Sequence, residues 1–187
     1  RHFLPRRTEE ALRQAIEQFK KAVDADPSFA QAWAGMADGY ALLPSYSEAS
    51  VAEMSSEARA AAGRALALDP GLGEAHAAFG MVARLMGDVE EADREYRRAI
   101  ELSPGYVTAH HWYGNFLATR GRHDESIAEL QKALELDPLS LPVLNGLGSA
   151  YLFAARFDEA IRTFGKAVEL DWGHPSAHLN LAETYDA

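Results

Sequence analysis

Apolar and small residues recur along this chain at two spacings, one inside each helix and one from helix to helix. From Val107 to Ser140 they fall three and four residues apart, break at a polar turn, resume at the same spacing and stop at Asp137-Pro138. That pattern predicts two amphipathic helices joined by a turn. The same pattern occupies 73–106 and 141–174. Its stop markers are Pro27, Pro70, Pro104 and Pro138, with Trp172 where the next proline would fall, and their separations are 43, 34, 34 and 34. One repeat therefore carries nine extra residues. The predicted helices are 8–26, 28–43, 54–68, 72–86, 88–102, 106–120, 123–136, 140–154, 157–170 and 175–186. Thr8 is expected to cap the first, a Ser28/Gln31 capping box the second, Asp88 with Glu91 the fifth, and Asp158 is expected to open the ninth in the same way. Pro142 and Pro175 sit in first turns, where a missing N–H costs little. The extra residues form a polar stretch near 43–52, read as a tolerated surface loop in preference to a flap carrying Tyr46.

Within each unit the same residue sizes return. Small residues stand at the eighth place (Ala37, Gly80, Gly114, Gly148), where a larger side chain would hold two helices apart. Ala58, Ala92, Ser126 and Ala160 are small on the second helix. Tyr96, Leu130 and Phe164 follow four residues later, and Ala65, Ala99, Ala133 and Ala167 seven later. Residues 8–26 repeat the second-helix pattern with Ala15, Phe19 and Ala22, and Phe3 and Leu4 fall where the preceding helix would end. This order at a 34-residue period, closing on Asp-Pro, resembles the tetratricopeptide repeat. The resemblance implies an all-α fold, a right-handed superhelical solenoid of antiparallel helix pairs whose first helices line a concave groove. Stacking is required in any case, because no single pair can bury both its apolar faces. Residues 1–187 are read as one array. It comprises a partial repeat at 1–29, a repeat with the insertion at 30–72, repeats at 73–106, 107–140 and 141–174, and the first helix of a further repeat at 175–187.

Composition narrows the function. Acidic residues outnumber basic ones 28 to 18, and residues 8–187 carry −13 because Arg1, Arg6 and Arg7 precede them. Phosphate backbones are repelled by such a chain, so no nucleic acid partner is expected for this segment. No apolar run reaches membrane-spanning length, and no membrane partner is expected. Zero cysteines exclude disulfides and thiolate metal sites and fit a reducing, cytoplasmic setting. The chain starts at Arg1 without methionine and ends inside a helical pattern, which reads as a segment of something longer.

No catalytic motif appears: Gly146-Leu147-Gly148 lies inside a helix where packing accounts for Gly148, and the carboxylates fall on solvated faces. The expectation is no enzyme and no cofactor. His76, His110 and His178 share the place that Trp33 holds in an earlier repeat, which makes them packing residues. His174 and His178 stand four apart without a third ligand, so no metal site is expected. Resemblance to the family places Gln31, Asp38, Leu42, Glu74, Met81, Arg84, Thr108, His111, Asn115, Asn145, Ser149, Leu152 and Glu183 on the groove wall. Of these Met81, Arg84, His111, Asn115, Asn145 and Ser149 are the expected peptide-binding residues, the polar ones suited to an extended backbone and Arg84 to a carboxylate. Family members that clamp a terminal carboxylate use Lys, Asn and Arg at fixed groove places. Asn115 matches one, but His111 replaces the lysine, and Gly146 and Ser176 occupy others, so that clamp is not expected.

Function is therefore expected to be a protein-interaction scaffold for a peptide or partner helix. A second resemblance gives the alternative: residues 7–43 with the longer linker are similar to the C-terminal repeat region of bacterial multidomain regulators, in which a kinase, nucleotide cyclase or winged-helix domain lies upstream. That implies a sensing or oligomerising arm. Weak head-to-tail self-association is also expected, because Ala15, Phe19, Leu179, Leu181 and Tyr185 lack the helix that would cover them.

Overall fold

A computed structural model describes residues 8–172 and 175–185, the side chains of 175–177 and 185 excepted. Among the described residues the chain is all-α, with helices α1 Glu9–Ala25, α2 Ala30–Leu42, α3 Val51–Leu68, α4 Gly73–Met86, α5 Val89–Leu102, α6 Val107–Thr119, α7 His123–Leu136, α8 Leu141–Phe153, α9 Phe157–Leu170 and α10 Pro175–Tyr185. It divides into two compact units, one through Pro104 and one from Gly105.

In the first unit the helices pair through small residues that admit a neighbouring ring or branched chain. A Cβ on Gly80 would lie 2.9 Å from Cδ1 of Tyr96, and Gly35 on α2 likewise faces the Phe19 ring of α1. Tyr96 is fully buried there, as are Ala58, Ala65, Ala92 and Ala99. The second unit repeats the device. Leu130 occupies the space a Gly114 side chain would need, Phe164 the space at Gly148, and Ser126, Ala133, Ala160 and Ala167 are all sealed from solvent. Phe19 is thus covered by α2, and Leu181 packs with Leu144, Ala167 and Val168, contrary to the expectation that both stand uncovered. Leu179 is 59 % exposed as expected.

The turns inside the α4–α5, α6–α7 and α8–α9 pairs share one backbone solution. Gly87, Gly121 and Ala155 stand 34 residues apart and all have positive φ, 81°, 73° and 55°. Glycine is at ease in that region and alanine is not.

Three local expectations need correction. Ser28 does not cap α2. Its N–H and hydroxyl both donate to Asp26 Oδ1, at 2.9 and 2.6 Å, because the aspartate two residues back closes a tighter turn. Asp158 does not open α9, whose N-cap is Arg156. Glu159 pairs with Arg156 at 2.6 Å; of the opposite charges that stand four residues apart on the outer faces, Glu9/Arg13, Glu17/Lys21 and Asp93/Arg97 pair and Asp158/Arg162 does not. Lastly, α3 begins at Val51 instead of 54. Ser50 accepts from the Glu53 N–H at 3.3 Å, so the insertion is spent partly on a 3₁₀ turn, Leu43–Ser45, and partly on helix. Thr8 and Asp88 cap as expected, at 3.2 and 3.0 Å. Phe3, Leu4, Arg1, Arg6, Arg7 and His174 lie outside the described residues, as do the side chains of Pro175, Ser176 and Tyr185.

Candidate protein-interaction site

The fourth place of each first helix does more than fill space. Trp33 Nε1–H donates to the carbonyl of Pro27 at 3.1 Å, His76 Nε2 lies 3.1 Å from the carbonyl of Pro70, and His178 Nε2 lies 2.8 Å from that of Trp172. In every case the carbonyl is six residues earlier. A ring nitrogen at this place ties α2, α4 and α10 to the loops before them, whereas α8 carries Leu144 there. His76 and His110 also reach forward, placing Nδ1 2.7 Å from Glu95 Oε2 and Glu129 Oε2 on the second helix of the pair. These histidines are structural staples. Among the described residues no group of three or more His, Asp or Glu is placed to hold a metal ion.

With those residues assigned to packing, the first-helix positions one turn along remain. In the first unit, α2 and α4 bring Asp38, Met81 and Arg84 around the Tyr96 hydroxyl. Arg84 Nη2 lies 3.2 Å from Met81 Sδ and the hydroxyl 3.8 Å from the same sulfur. Burial pushes the Tyr96 phenol well above its ordinary range, against the opposing pull of the Arg84 guanidinium, so it remains a neutral hydrogen-bonding group. Met81 is only 7 % exposed, which leaves Arg84 as the exposed side chain of this cluster.

In the second unit α6 and α8 present a carboxamide pair. Asn115 Nδ2 donates to His111 Nε2 at 3.0 Å, with the imidazole in the tautomer that accepts there. Its Oδ1 then lies against the backbone of Gly146, where a Cβ would come within 2.7 Å, so only glycine leaves room for it. Next to Gly146 is Asn145, whose Oδ1 is buried with no hydrogen-bond partner. Ser149 follows one turn later on α8, half-buried like both asparagines, while His111 is 7 % exposed and serves to orient Asn115. A buried carboxamide oxygen without a donor is costly in a finished core and ordinary in a site that awaits a ligand N–H. The resemblance to the family pointed to these residues; the role of Gly146 was not legible in the sequence, because the carboxamide it accommodates comes from a different helix.

Two family models for the tetratricopeptide repeat match the sequence, one over residues 73–106 and one over 106–171. The chain belongs to the tetratricopeptide repeat family. Similar solved structures agree on the fold of this repeat protein. PilF of Pseudomonas aeruginosa is 26 % identical, with a TM-score of 0.72 over 85 % of this chain and 68 % of PilF. A thermophilic tetratricopeptide repeat protein of Thermus thermophilus is 20 % identical, with a TM-score of 0.73 over 92 % of this chain and 89 % of that one. YrrB, described as having an unusual peptide-binding site, is 23 % identical, with a TM-score of 0.62 over 95 % of this chain and 85 % of its own. No curated protein matches the sequence. No helix of the described residues is long and apolar enough to cross a membrane.

Proposed function

We propose that this tetratricopeptide repeat protein is an interaction scaffold that binds an extended peptide or a partner helix on its first helices, with Asn115, Asn145 and Ser149 as the main contacts of the second unit and His111 orienting Asn115. The observation that carries this reading is the Asn145 carboxamide oxygen, buried on α8 and without a donor. A peptide backbone supplies N–H groups at that height. Arg84, exposed over Met81 in the first unit, is suited to a partner carboxylate. The reported peptide-binding site of YrrB is in keeping with this reading at the level of the fold.

The test is selection of displayed random peptides on the purified chain, followed by titration of the selected peptides against Asn115→Ala and Asn145→Ala proteins of unchanged helicity. A loss of at least tenfold in affinity for either variant supports the site. Peptides that bind both variants as tightly as the parent chain refute it.

A further inference from the structure

The nine-residue insertion has a structural product besides its loop. Helices α5, α7 and α9, the second helices of their repeats, have 14 residues, and α3 has 18, although all four end at the same place in the repeat. The surplus is one turn at its start, residues 51–54. This turn overhangs the C-terminal end of α4, and between the two lies a recess of about 460 Å³ lined by Val51, Ala52, Ser55, Ser56, Arg59, Leu85 and Met86. Its volume falls within the ~300–1,000 Å³ typical of ligand pockets.

Three observations bear on what enters it. Ser55 takes the place held by Val89 and Phe157, which are 37 and 39 % exposed, yet Ser55 is 3 % exposed and its hydroxyl has no hydrogen-bond partner. His123, at the same place on α7, is half-buried and also keeps an unpartnered ring nitrogen, but at Ser55 the unsatisfied group lies in the wall of a recess. Arg59 lies with its guanidinium 5.1 Å over the Phe79 ring and its Nη1 3.5 Å from Met86 Sδ, so a flat cation and a thioether meet at the recess. Val51 and Met86 are 48 and 58 % exposed, more apolar surface than either position needs for packing.

We propose that this recess receives an aromatic side chain of a partner segment, tyrosine in preference to phenylalanine. Guanidinium and thioether groups both favour an aromatic ring over an aliphatic chain of equal size. Val51, Ala52 and Leu85 supply the apolar walls, and the Ser55 hydroxyl is the group that a phenol satisfies and a phenyl ring does not. Because none of these residues belongs to the groove-wall positions, the site stands or falls independently of the peptide reading above.

The experiment uses the chain labelled at its methionine methyls with carbon-13 and titrated with p-cresol, the side-chain analogue of tyrosine, and with toluene. The expected result is a saturable ring-current shift of the Met86 methyl, with Met36 and Met81 unmoved, reached at a p-cresol concentration at least threefold below that of toluene. Ser55→Ala should remove the difference between the two probes. Ala52→Leu, an exposed change that suits a helix and fills the recess, should abolish both titrations with circular dichroism unchanged. An unsaturable shift, equal shifts at all the methionines, a titration that survives Ala52→Leu, or equal affinity for the two probes in the parent chain would overturn the proposal.

Discussion

Phe164 and Gly148 test the packing register most directly, since each exists in its present size because of the other. Phe164 is fully buried among Ile127, Leu130, Leu147, Ala150, Tyr151 and Ala160. Truncation to alanine loses the transfer free energy of the ring, ~1.5–3 kcal/mol. The surrounding helices are held by their own contacts and cannot fully close the gap, so a cavity term of about 24 cal/mol per Å³ brings the total to ~3–5 kcal/mol. Adding a methyl at Gly148 places it 2.5 Å from Phe164 Cε1 and 2.7 Å from Cδ1 and Cζ. That overpacking costs ~1–3 kcal/mol, offset by the ~1 kcal/mol that alanine gains over glycine inside a helix. With the ring removed the clash vanishes and the propensity gain stays. Gly148→Ala should therefore destabilise the parent chain and stabilise the Phe164→Ala chain, a coupling of about 1–3 kcal/mol. Urea unfolding of the four proteins, followed by far-ultraviolet circular dichroism at constant m, measures it. Effects that add to within ~0.5 kcal/mol, or a Phe164→Ala loss under ~1 kcal/mol, would refute the small-against-large packing on which the repeat assignment rests.

Ala155, at φ 55° in the turn where the other pairs have Gly87 and Gly121, should gain up to ~1 kcal/mol on replacement by glycine. Gly121→Ala should lose a similar amount, both read as shifts in the urea midpoint. Glu95→Ala leaves the His76 ring without its 2.7 Å partner in a place where the two side chains are 14 and 16 % exposed, and should cost ~1.5–3 kcal/mol, whereas Glu101→Ala on the solvated face of the same helix should change stability by under ~0.5 kcal/mol. Asp26 accepts two hydrogen bonds from Ser28, which hold its carboxyl below the usual 3.8. Since the lowered group favours the folded turn when ionised, its contribution is present above that value and is lost as pH falls through the folded midpoint. Nuclear magnetic resonance titration should show the low midpoint in the parent chain and its return toward 3.8 in Ser28→Ala.

The 34-residue period, the place of small and large residues within it and most helix limits were legible in the sequence, because each rests on interactions within a helix or with a neighbour at a fixed offset. Leu130 always finds Gly114, and Phe164 always finds Gly148, whatever the rest of the chain does. The expected groove-wall positions came from the resemblance to the family and not from the chain's own spacing. Tertiary structure decided what those positions hold: that His111 is buried and orients Asn115, that Gly146 makes room for a carboxamide, and that Asn145 keeps an oxygen without a donor. It also decided the fate of the insertion. Polar composition near 43–52 suggested only a loop, although Ser50 and Glu53 carry the capping-box spacing that starts the longer helix. What no pattern within either helix records is that this turn and the end of α4 enclose a recess between them, since the two lie far apart in sequence.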